Sequence, residues 1–151
     1  MIIANVGHHA AAGAEHWTYE EYRTHVEAFI GAFSQRLRLQ QSSGNSKESL
    51  TKFVWLASHA MPTARDNQIV GSGDWRTNQR LALYERFARE QVQKMQREFG
   101  HEQCMYHDAF NLTLPHIEAA AGDCGHFSGP NVQMALVQGF LNLVCPMRDA
   151  P

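Results

Sequence analysis

The chain has 151 residues, with 13 Lys and Arg against 15 Asp and Glu and a formal net charge of −2 at pH 7. That length supports a single domain with its own hydrophobic core, stapled by neither disulfides nor metal. The balanced charge and the lack of any Lys/Arg run argue against a nucleic-acid partner, which is met by a basic face or stripe. No apolar stretch is long enough to cross a bilayer, and the first residues lack the pattern of a signal peptide.

Met1 to Val6 is a short apolar run closed by Gly7, which predicts a buried strand or one at a sheet edge, with His8 and His9 on the loop after it. Thr18-Tyr19-Glu20-Glu21 has capping-box spacing and predicts a helix start. Tyr22, Val26, Phe29, Ile30, Phe33 and Leu37 then form one apolar stripe, which runs out in the polar segment from Gln40 to Ser46. Phe53 to Ala57 predicts a second strand, ended by Ser58 to Pro62, since proline cannot donate to a ladder.

A long polar loop carrying Arg65 leads to Asp74, the expected N-cap of the next helix. Leu81, Tyr84, Phe87, Ala88, Val92, Met95 and Phe99 line one side of that helix, and Gly100 is its natural stop. Glu102 to Phe110 is expected as a third strand from its place in the alternation, and a turn or short helix spans Leu114 to Ala121. Pro130 suits a first helical turn, and Val132 to Val144 is apolar on nearly every side, as a buried or closely packed helix would be. Alternating strands and helices predict an α/β layered fold with a parallel sheet, whose ligands bind beyond the carboxyl ends of the strands. On that topology His8/His9, His59/Arg65 and Asp123/His126 fall on one rim.

The stretch Gly122 to Asn131 places Asp123 and His126 three residues apart between glycines. An Asp bonded to one ring nitrogen fixes the tautomer of a His and leaves the other nitrogen to take a proton from a nucleophile. The plain alternative is a surface turn before a helix. Gly7 and His9 are candidate oxyanion donors, with two solvated loop imidazoles as the alternative for His8-His9. Arg76, two residues after the Asp74 cap, is a candidate for binding substrate carboxylate or hydroxyls. A metal site from His8, His9 and His16 lacks helical ligand spacing, so no metal and no cofactor are expected. No Gly-x-Ser-x-Gly elbow occurs, and Cys124, between Asp123 and His126, is poorly placed as a nucleophile.

Cys104, Cys124 and Cys145 form no Cys-x-x-Cys pair. In an oxidising lumen Cys124 and Cys145 are the better-placed pair, and three free thiols are the equal alternative. Asn111-Leu112-Thr113 is a glycan acceptor only if the chain enters the secretory pathway.

Asp123-Cys-Gly-His126 followed by Phe-Ser-Gly-Pro resembles the last block of SGNH (GDSL-type) hydrolases, in particular the PC-esterase group of carbohydrate acyl-esterases and acetyltransferases. Asn5-Val-Gly7-His-His9 resembles that group's Asn-x-Gly-x-His block, and Trp55 to Pro62 with Asp74-Trp-Arg76-Thr resembles its middle portion. The resemblance implies a three-layer flavodoxin-like fold, of which residues 1–151 would be the last three β-α units, and a Ser-His-Asp site. It also implies hydrolysis or transfer of acyl esters, often on glycans in the secretory pathway or at the cell surface. His126 would be the general base, Asp123 its orienter, and the Ser block would lie upstream. The alternative is a non-catalytic α/β binding or interaction module.

Overall fold

The computed structural model describes residues 1–11, 17–44, 51–61, 76–119, 126–127 and 129–145, with the backbone alone for His9. Three short strands form a parallel sheet in the order β1 (Ile2–Ala4), β2 (Phe53–Leu56), β3 (Cys104–His107), with Ile3 opposite Val54 and Trp55 opposite Tyr106. The expected α/β class and parallel sheet are therefore present. Every strand ends at the same edge, which brings the segments after them together.

Successive side chains on a strand point to opposite faces, so Phe53, Trp55, Cys104 and Tyr106 share one face. Two long helices cover it: α2 (Tyr19–Ser42) and α3 (Asn78–Phe99). Helix α2 begins where the capping box predicts: Thr18 Oγ1 accepts from the Glu21 N–H at 3.2 Å, and Glu21 accepts from the Thr18 N–H at 2.7 Å. Such a cap contributes about 0.5–2 kcal/mol. Tyr22, Val26, Ile30, Phe33 and Leu37 are buried, and Tyr22 stacks on Tyr84 of α3 with ring centroids 4.0 Å apart. Aromatic pairs of this kind are worth about 0.5–1.5 kcal/mol beyond the area they bury. All seven residues expected along the buried side of α3 are buried, and Gly100 ends it at φ 97°, a conformation that favours glycine.

The opposite face, carrying Val54, Leu56, Met105 and His107, meets α5 (Pro130–Val144), whose Phe140 ring stands edge-on to His107 at 5.9 Å. Between β3 and α5 lie the short α4 (Ala109–Thr113) and a 3-10 turn at Leu114–His116. Among the described residues no helix is long and apolar enough to cross a membrane.

Several expectations need correction. His8 and His9 lie not on a loop but on α1 (Gly7–Ala11), a small-residue helix that starts directly after the strand. Of the two positions open to the first strand, β1 takes the sheet edge: Ile2 and Ile3 are exposed, because among the described residues β2 alone flanks it. Phe29 belongs to the apolar stripe of α2 but is 45% exposed, since it faces a groove beside that edge. Thr77, whose hydroxyl accepts from the Arg80 N–H, caps α3, so the expected cap at Asp74 is displaced by three residues. The third strand ends at His107, and Asp108 turns the chain into α4 by accepting from the Asn111 N–H. Helix α5 forms as expected but buries only Val132; Met134, Val137 and Leu141 are exposed, because no element lies over its outer side among the described residues. Cys104 and Cys145 are free thiols, with burial pushing the Cys104 thiol up to about 12, while Cys124 lies outside the described residues.

Candidate functional site

Beyond the carboxyl ends of the strands, a cleft of about 650 Å³ opens between the sheet and α5. Its polar lining is His8, His59, Arg76, His107 and His126, with Asn5 and Ser58, and its apolar wall includes Leu56, Met61, Leu136, Val137 and Phe140. A concave apolar site with a few converging polar groups is the usual form of a small-ligand pocket. Of the rim expected from topology, His8, His59 and His126 line this cleft, and Arg76 joins them. Asp123 and Arg65 lie outside the described residues, as does the side chain of His9.

The histidines are neighbours. The His8 and His59 ring centroids are 4.4 Å apart, His59 and His126 are 6.0 Å apart, and Phe127 stands edge-on to His59 at 5.6 Å. His126 is exposed and Phe127 is buried beneath it, where the Phe127 carbonyl accepts from Gln133 Nε2 of α5 at 3.1 Å. That bond ties the residue after His126 to the helix that follows. Burial lowers the pKa of His59, a bond to the Ala60 carbonyl opposes this, and the nearby His126 and Arg76 lower it further. With Nδ1 held 2.8 Å from the Ala60 carbonyl oxygen, the neutral ring carries its proton there and keeps Nε2 as an acceptor. Burial also lowers the pKa of His107, and Asp108 partly offsets it.

The segment that carries His59 is anchored at almost every residue. The Ser58 N–H donates to Glu85 Oε1 at 2.8 Å, the Ala60 N–H to Thr113 Oγ1 at 2.8 Å, and the Met61 N–H to Asn78 Oδ1 at 2.7 Å. Asn78 returns a bond from Nδ2 to the Met61 carbonyl at 3.0 Å, and Asn5 Nδ2 donates to the Leu56 carbonyl at 2.5 Å. Helices α3 and α4 and the end of β1 therefore hold one irregular stretch whose backbone groups a sheet ladder does not satisfy.

Gly7, proposed from sequence as an oxyanion donor, is buried as the first residue of α1. A Cβ built on it would lie 2.6 Å from Glu85 Oε1 and closer still to Ser58 Oγ. Only a residue without a side chain fits between α1 and the Ser58 turn, and this sets how near His8 comes to His59. Glu85 was missed in the sequence as a site residue. Its signal was its position, since Leu81, Glu85, Ala88 and Val92 follow the buried side of α3 and a carboxylate stands among them.

Among the described residues, no group of three His, Cys, Asp or Glu side chains is placed to hold a metal ion. Comparison of the chain with protein-family models, with curated proteins and with solved structures finds no match.

Proposed function

We propose that this chain supplies the base, orienter and substrate cleft of an SGNH-type esterase or O-acyltransferase acting on acyl esters, most simply acetyl esters of glycans. The observation that carries the proposal is the convergence of His8, His59, Arg76 and His126 on one cleft at the carboxyl ends of a parallel sheet. In this reading a serine from a segment N-terminal to β1 attacks the ester carbonyl and His126 accepts its proton, with the ring oriented by Asp123. Gly7 and His9 would donate to the oxyanion, and His59, Arg65 and Arg76 would bind the alcohol portion. Collapse returns the proton from His126 to the departing alkoxide, and water or an acceptor hydroxyl then takes the acyl group. Among the described residues nothing pairs with the outer side of β1, where Ile2, Ile3 and Phe29 are exposed, and this leaves room for a further parallel strand.

The test is fluorophosphonate labelling of the polypeptide that includes the sequence before Met1. A labelled upstream serine is expected, with labelling slowed about 10²–10⁴-fold by His126→Ala, the range for loss of a general base. Absence of any labelled serine would favour a non-catalytic binding module. Hydrolysis of an activated acetate ester by residues 1–151 alone, lost on His126→Ala, would refute the upstream nucleophile.

A further inference from the structure

We infer that Glu85 is a positioning residue for the cleft: its buried carboxylate holds the turn that presents His59 against the helix start that presents His8. Its role in chemistry rests on the reading of the cleft given above; its role in geometry does not.

The side chain is only 3% exposed, deep in the core formed by α2, α3 and the sheet. Oε1 accepts from the Ser58 N–H at 2.8 Å, and Oε2 accepts from the Trp55 indole N–H at 3.2 Å and from the Tyr106 hydroxyl at 3.3 Å. One carboxylate thus ties α3 to the C-terminal end of β2, to the segment just after it and to the C-terminal half of β3. Gly7 lies so near the same oxygen that a Cβ built on it would fall 2.6 Å away, which places the start of α1 beside the clamp. Two residues follow from this contact in sequence: His8 after Gly7 and His59 after Ser58. Their rings lie 4.4 Å apart above the carboxylate that spaces their backbones.

A buried carboxylate is an expensive way to fill a helix–sheet interface, because an apolar residue of similar size gives up no solvation. What an apolar residue cannot do is satisfy the Ser58 N–H, which lies past the end of the ladder. Burial favours the neutral carboxyl here, and the bonds from Ser58, Trp55 and Tyr106 oppose that preference without removing it. Substitution by glutamine keeps the volume and the Oε1 acceptor, but turns an NH2 toward the Trp55 indole N–H, which can only donate. The amide must flip or move, and either releases Ser58 or leaves donors facing one another.

The experiment is a proton NMR pH titration of the imidazoles in the wild type, in Glu85→Gln and in Tyr106→Phe, with thermal unfolding of each. His59 faces His8, His126 and Arg76, and its resonance reports the packing of that group. In Glu85→Gln its midpoint should rise toward the ordinary imidazole value by about 0.5 pH unit or more as the turn loosens and water enters. Tyr106→Phe, which removes one donor and keeps the ring, should shift His59 less and in the same direction. It decides the matter if Glu85→Gln does not fold. Loss of thermal stability in both variants with an unchanged His59 midpoint would overturn the inference and leave Glu85 as a core residue only. The readout needs no ester turnover, so it can succeed where the esterase proposal fails, and the reverse.

Discussion

Gly7→Ala isolates the contact between α1 and the His59 turn. Gly7 has no positive φ, so alanine meets no backbone strain and the perturbation is steric alone. The added methyl would sit 2.6 Å from Glu85 Oε1 and 3.3 Å from Ser58 Cβ, with Ser58 Oγ nearer than either. Ser58 and Glu85 are both buried, and Glu85 Oε1 accepts from the Ser58 backbone N–H, so the carboxylate is not a free side-chain end that can swing aside. Overpacking of this kind costs about 1–3 kcal/mol, and the gain in backbone preference from Gly to Ala offsets about 0.5–1 of it. A net loss of roughly 1–2 kcal/mol should lower the thermal midpoint by about 2–8 °C for a domain of this size. Urea unfolding followed by Trp fluorescence gives the free energy, and the NMR titration of His8 and His59 gives the local effect. An unchanged midpoint with unchanged histidine resonances would refute the close packing of α1 on Ser58 and Glu85.

Gly31→Ala is the matched control: it lies on the exposed side of α2 with nothing within 4 Å of the added carbon, and should stabilise the chain by about 0.5–1 kcal/mol in the same urea assay. Glu85 and the two cleft histidines titrate with opposite signs. The folded-state pKa of Glu85 is raised by burial, so its contribution is fully present below the ordinary carboxyl value and is lost as pH rises through the folded one. Glutamine does not titrate, so the stability gap between wild type and Glu85→Gln should be widest near about pH 4.5 and narrow above it; a gap that widens with pH would contradict the sign. The values for His59 and His107 are lowered by burial, so the stability of wild type and variant alike should fall as pH drops below about 6.5 toward the folded values.

The parts of the fold that announce themselves in the sequence are those whose energetics are local. Thr18 and Glu21 cap α2 with groups three residues apart, and the stripes from Tyr22 to Leu37 and from Leu81 to Phe99 repeat at the helical period over many turns. The convergence of His8, His59 and His126 was legible from strand order, because a parallel sheet puts all its carboxyl ends on one side, whereas that of Arg76 was not. Contacts between distant segments were not legible. Helix α1 is five residues long and owes its place to packing of Gly7 on Ser58 and Glu85, which no local pattern encodes. The exposure of Met134 and Val137 depends on what lies over α5, whereas an apolar sequence says only that cover would be favourable. Glu85 was hidden for a related reason: among many charges on α3, its meaning lies in partners 21, 27 and 30 residues away.

That carboxylate also restricts which sequences can replace this one. Trp55, Ser58, Glu85, Tyr106 and Gly7 meet around two oxygen atoms, so a change at any one alters what the others must be. Leucine at position 85 would strand an indole N–H and a backbone N–H in the core, yet the same leucine is harmless to an indole already replaced by phenylalanine. Substitutions in this group will combine non-additively, since hydrogen-bonded neighbours couple by about 0.5–3 kcal/mol. Drift at these five positions is therefore channelled into paired changes, and a library that varies them one at a time will find almost every single step unfavourable.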